Sequence, residues 1–104
     1  MEQQKQKSTI TLTTTSKKYK LTNETIEFCG RKLHQIQALK DFSDVKAGDL
    51  GGWIEKENNL SQIGDAWIYK NAKVYENAWI LHNAKVYGNA KVYGNAKVYG
   101  EAKV

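Results

Sequence analysis

From residue 66 to residue 104 one six-residue phrase recurs without an insertion. The phrase is Ala-x-aliphatic-Tyr-x-Asn, most regular in NAKVYGNAKVYGNAKVYGEAKV between Asn83 and Val104. Alanine stands at Ala66, Ala72, Ala78, Ala84, Ala90, Ala96 and Ala102, and two places later come Ile68, Val74, Ile80, Val86, Val92, Val98 and Val104. A fixed short period of this kind marks a repeat architecture. An α-helix does not fit it, because positions six apart point roughly 240° away from each other and would scatter the apolar residues around the axis. A strand does fit. Ala and the aliphatic residue share one face while Lys and Tyr take the other. The Gly-Asn pair that follows is suited to positive φ and turns the chain at little steric cost. Each repeat is therefore predicted to be a short strand and a corner, and such strands bury their inner face only by stacking into a coil of parallel strands.

The order aliphatic-x-x-Asn-small-x resembles the hexapeptide repeat of left-handed parallel β-helix proteins, where three hexads form a triangular coil and equivalent residues stack about 18 apart. The fold class this implies is all-β: a left-handed parallel β-helix with an N-terminal β-hairpin cap. A second resemblance lies ahead of the repeats. The segments Ala38-Leu39-Lys40-Asp41-Phe42, Asp49-Leu50-Gly51-Gly52-Trp53-Ile54-Glu55 and Asn59-Leu60-Ser61 are similar to small bacterial and prophage proteins with an LGGWIE-type lead-in before NA-x-V repeats. Those proteins are often described as transferases on fold alone. The resemblance covers residues 19–104 and does not fix a function.

Three segments are expected. Residues 1–18 form a polar, mobile leader in which Ile10 and Leu12 alternate as in a strand. Residues 19–59 are the cap and lead-in, and 60–104 the repeats, all within one structural domain. In the cap, Thr25–Phe28 and Leu33–Ala38 read as a hairpin around Cys29-Gly30-Arg31-Lys32, and Leu50–Ile54 as a sharp bend entering the first coil. The chain lacks proline, as ladders that need every N–H require. It has no apolar run of membrane-spanning length and no secretory h-region, which together with a single Cys29 points to a reducing, cytoplasmic setting without a membrane.

The outer positions are the candidate binding surface: Trp67, Tyr69, Trp79, Tyr87, Tyr93, Lys85 and Lys91. Tyr69 is expected beneath Tyr87, and Tyr75 beneath Tyr93. Such ladders could stack bases, yet the repeat lysines divide over three sides as Lys85 with Lys103, Lys73 with Lys91, and Lys97. A nucleic-acid site concentrates charge on one side, so nucleic acid is not the favoured partner. The net charge of +5 divides as +3 over residues 60–104 and +2 over 1–59, a weak basic bias that would help meet an acidic partner.

Catalytic constellations are few. His82 is the one histidine within the repeats and the candidate general base of a minimal acyltransferase at a subunit boundary, as the resemblance implies for many hexapeptide proteins. No cleft or orienting partner for it is evident in the sequence, so it reads first as an exposed corner. His34 has no second ligand nearby and no metal or other cofactor is expected. Cys29 reads as a half-buried structural thiol, and Gly51-Gly52 lacks the continuation of a phosphate loop. The expectation is thus a non-enzymatic interaction module. The prophage resemblance implies a host or phage protein as partner, including a defence complex such as a CRISPR effector. Self-association is expected through Val98, Tyr99, Ala102 and Val104, as an end-on dimer in preference to a side-by-side trimer.

Overall fold

A computed structural model describes residues 17–104, which are all-β apart from one 3-10 turn at Glu57–Asn59. Two longer strands, β1 (Tyr19–Phe28) and β2 (Arg31–Ala38), form an antiparallel hairpin that turns through Cys29-Gly30, both at positive φ. Strand β3 (Leu50–Ile54) runs antiparallel to β2 and parallel to the repeats. Six two-residue strands follow, one per hexad: β4 (Trp67–Ile68), β5 (Lys73–Val74), β6 (Trp79–Ile80), β7 (Lys85–Val86), β8 (Lys91–Val92) and β9 (Lys97–Val98).

The ladders place these strands on three faces of a coil. The first is β3-β5-β8, the second Leu60-β6-β9, and the third β4-β7 extended by a bridge from Lys85 to Lys103. Partners within the repeats lie 18 residues apart, as Ile68 with Val86, Val74 with Val92 and Ile80 with Val98. The spacing is 20 at the first coil, where Ile54 pairs with Val74 and Leu60 with Ile80. Two extra residues between Leu60 and Ile68 account for the difference. They form a bulged loop with Ser61 Oγ bonded to Ile63, Gly64 at φ 84° and Ile63 81% exposed.

The inward positions form the core. Ile54, Ile68, Val74, Ile80 and Val86 are fully buried, with Ala66, Ala72, Ala78 and Ala84 between them. Alanine is required there because the coil is narrow, and core sites of native density do not accept added methylenes without strain. Gly51 and Gly52 have a related role. They lie within strand β3 where two residues face Ile36 alone, between the pairs Gln35–Trp53 and Gln37–Leu50, so the strand is bulged at the place of the expected bend. A Cβ on Gly51 would lie 2.7 Å from Ile68 O, and one on Gly52 2.5 Å from Ala72 O, so the glycines admit the second coil at close range.

Buried polar groups fix the hairpin to the coil. Asn59 is fully buried: its Oδ1 accepts the N–H groups of Glu55 and Lys56 at 3.0 and 2.9 Å, while Nδ2 donates to Glu76 O and Ala78 O at 3.2 and 2.8 Å. That amide satisfies four backbone groups where the chain departs from the hexad pattern. The Tyr19 hydroxyl reaches Glu57 O at 2.8 Å and Leu60 O at 2.5 Å. Lys18, assigned to the leader by the sequence boundary, is 1% exposed and belongs to this region. Its Nζ donates to Ala66 O at 2.8 Å and Gly64 O at 3.2 Å, and burial lowers its pKa to about 8. The reading of Ile10 and Leu12 falls outside the described residues.

Candidate functional site

The corners of the coil hold the chemistry that a regular solenoid would otherwise lack. Gly88, Gly94 and Gly100 turn with φ between 64° and 69°, and the equivalent corners one coil earlier include Glu76 at 60° and His82 at 61°. A non-glycine residue in this left-handed region costs about 1 kcal/mol. The side chains offset that cost by reaching to the next coil. Glu76 Oε1 accepts the Gly94 N–H at 2.8 Å, as Glu55 Oε1 accepts the Glu76 N–H at 2.8 Å. Arg31 ties both carboxylates to the hairpin, at 2.9 Å from Glu55 and 3.4 Å from Glu76. Burial alone would raise the Glu55 carboxyl, but the Glu76 N–H and the Arg31 guanidinium outweigh it and hold it below the ordinary carboxylate value.

His82 uses the same device with a chemical consequence. Its Nδ1 accepts the Gly100 N–H at 3.2 Å, which places the ring proton of neutral His82 on Nε2. The residue is exposed, with the Tyr99 ring edge-on at 6.3 Å. A general base needs a free lone pair facing the substrate, and here the lone pair faces the backbone. In this state the exposed side of the ring carries the Nε2–H, a hydrogen-bond donor.

Beside the second face lies a groove of about 530 Å³ between the 3-10 turn and Trp79. Trp79 is 42% exposed, and Lys97 Nζ sits 5.8 Å from its ring centroid. Lys56 Nζ donates to Asn77 Oδ1 at 3.1 Å. The Glu57 carboxylate is held by Lys17 at 3.2 Å and by Gln62 Nε2 at 2.9 Å. The sequence pattern identified Trp79 as an outward residue. The groove was not legible, because its other wall comes from the irregular turn at Glu57–Asn59.

The remaining candidates are dispersed. Trp67 is 2% exposed and is no surface residue: Tyr19 and Phe42 pack edge-on against it at 6.4 and 5.3 Å. Tyr75, also expected outside, is 5% exposed beneath Phe28 at 5.6 Å. An outward hexad position becomes internal wherever the hairpin lays a second layer over the coil. The two tyrosine ladders do form, with Tyr69–Tyr87 centroids 5.9 Å apart and Tyr75–Tyr93 at 5.3 Å, the latter stacked. Burial pushes the Tyr69 phenol up, and its hydrogen bond to Asp44 at 2.7 Å adds to this. Lys85 Nζ lies 3.2 Å from both Ser43 Oγ and Asp65 O, and Lys91 Nζ lies 5.8 Å from the Phe28 centroid. Val98 is half-buried, whereas Tyr99, Ala102 and Val104 are exposed. Cys29 is exposed and not half-buried as expected, because it stands in the two-residue turn that ends the hairpin.

No protein-family model matches the chain. Over 61 residues it is 46% identical to the protein named "Uncharacterized acetyltransferase YdcK" of Escherichia coli (strain K12). The match covers 51% of this chain and 19% of the relative, so the chain spans about a fifth of the relative's length. A transferase-named relative agrees with the resemblance to hexapeptide-repeat transferases. It overturns the expectation of a non-enzymatic chain, since it points toward an enzyme. The prophage-type lead-in group is not indicated by it.

Proposed function

We propose that this chain forms the coil part of a hexapeptide-type acyltransferase, wound as a left-handed β-helix, with His82 at the reacting centre. The observation that carries the reading is the 46% identity over 61 residues to a protein named as an acetyltransferase. Three faces with an 18-residue spacing support the winding class. The His82 tautomer supports a specific role. In acyl transfer from a thioester, the acceptor oxygen or nitrogen attacks the carbonyl carbon and negative charge builds on the carbonyl oxygen. His82 Nε2–H donates to that oxygen. Collapse of the tetrahedral intermediate then breaks the C–S bond, the thiolate leaves, and the acceptor's proton passes through solvent to the thiolate. A single preorganised donor of this kind is worth about 10²–10³ in kcat. Trp79 and His82 are three residues apart along the same face and its corner, about 10 Å of extended chain, so a substrate held at the groove can extend to the ring.

The test uses the full chain with acetyl-coenzyme A and a panel of hydroxyl and amine acceptors, following release of the free thiol. The decisive variant is His82→Gly, because glycine occupies the equivalent corner in the following repeats and fits its φ. The expected result is a loss of about 100-fold in kcat with an unchanged melting temperature. Turnover indifferent to the substitution would remove His82 from the mechanism, and a folded chain without turnover on any acceptor would overturn the reading.

A further inference from the structure

The segment that enters the described structure at Lys17 does so at the rim of the Trp79 groove. Lys17 Nζ pairs with the Glu57 carboxylate at 3.2 Å, and the Lys18 and Tyr19 N–H groups donate to Gln62 Oε1 at 2.7 and 3.2 Å. Glu57 and Gln62 both line the groove. Several of its polar groups are already engaged within the chain: Ser61 Oγ with Ile63, the Gln62 amide with Tyr19 and Glu57, and Asn77 Oδ1 with Lys56. What stays uncovered is apolar, the indole of Trp79 at 42% exposure. An occupant that brings aliphatic side chains and asks for no new hydrogen bonds fits such a surface.

The preceding sequence, Ser8-Thr9-Ile10-Thr11-Leu12-Thr13-Thr14-Thr15, carries two aliphatic residues at alternate positions, which share one side of an extended chain. The five residues from Leu12 to Lys17 reach up to about 17 Å when extended. Trp79 is well within that span, because Leu60 and Ile80 pair on neighbouring coils. A segment tethered so close meets the groove at an effective concentration in the millimolar range. We infer that residues 8–15 dock in this groove as an intramolecular strap, with Ile10 and Leu12 against Trp79. The competing place is the outer edge of β1, where a returning strand would begin at Tyr19. There Gln62 already holds both the N–H and the carbonyl of Tyr19, and β1 is bulged between Leu21 and Thr25 with exposed Asn23 and Glu24. Such an edge resists pairing. While docked, the strap excludes other ligands from Trp79, so the groove opens only when the segment lifts. The inference is independent of the acyl-transfer reading.

Nuclear Overhauser spectra of the full, isotope-labelled chain test it. Contacts from the Ile10 and Leu12 methyl groups to the Trp79 indole ring are expected. They should be missing from isotope-filtered spectra of a mixture of labelled and unlabelled chains, because the contact lies within one molecule. Acrylamide quenching of tryptophan fluorescence gives a second readout. Ile10→Ser combined with Leu12→Ser should raise the quenching constant of the full chain, and the rise should vanish when the same pair is placed in Trp79→Phe. Methyl contacts to Leu21, Thr25 and Glu27 would put the segment on the β1 edge, and contacts in the filtered spectra would make it the segment of a second copy. Either result, or quenching indifferent to the two serines, would overturn the inference.

Discussion

The first coil and the last are built from similar strands and differ in what lies against them. Around Ile54, Leu60 and Ile68 the hairpin and the loop after it supply a second layer: Tyr19 and Val45 join the core, Phe42 packs against it, and Lys18, Tyr19 and Asn59 bond the coil's backbone groups. Farther along, the same inward position passes from fully buried at Val86 to 6% exposed at Val92, half-buried at Val98 and 45% exposed at Val104. The last of the regular repeats are thus the least buried part of the coil. A hexad dictates its own conformation, but how much free energy it contributes depends on a neighbour covering each side, as in other solenoids.

Two aspartates separate these regions most sharply. Val86→Asp places an unpaired carboxylate in a fully enclosed site, and the expected loss is about 4 kcal/mol or more, enough to abolish a cooperative melt. Val98→Asp puts the same charge where water already reaches and is expected to cost about 1–2 kcal/mol. Denaturant unfolding followed by circular dichroism measures both. Equal losses would mean that burial is uniform along the coil.

A smaller effect belongs to Lys18 in the covered region. Its folded pKa is about 8, below the ordinary lysine value, because burial penalises the charged form. Between those two values the unfolded chain holds a proton that the folded chain has shed. Stability therefore rises with pH through this window, by at most about 1.4 kcal/mol per pH unit, and the cost of the buried charge is fully present below pH 8. The raised phenol values of Tyr19 and Tyr69 act in the opposite direction only above the ordinary tyrosine range. Unfolding free energies between pH 8 and pH 9.5 should show the upward slope, and Lys18→Met should flatten it.

The contrast also explains what could be read in advance. The repeats declare their fold because each position meets the same surroundings every 18 residues, so Val92 over Val74 and Tyr93 over Tyr75 follow from spacing alone. Trp67 obeys the same spacing and still ends up inside, because the residues that cover it come from Tyr19 and Phe42, far away in sequence. Period carries no information about a second layer. For His82 the corner position was legible, but its tautomer was not: that depends on a bond from Gly100 across coils. The groove escaped because half of it comes from Lys56–Asn58, where the pattern has not begun.

Native-state hydrogen exchange tests the central claim, that the covered coils hold the fold and the exposed repeats follow. The informative amides are those of the ladder, such as Trp67 bonded to Ala84 O and Lys73 bonded to Ala90 O, against Val104 bonded to Lys85 O. Trp67 and Lys73 should exchange only through global unfolding, at least about 100-fold more slowly than Val104, which opens locally. Uniform protection across the three ladders, or slower exchange at Val104, would contradict the account.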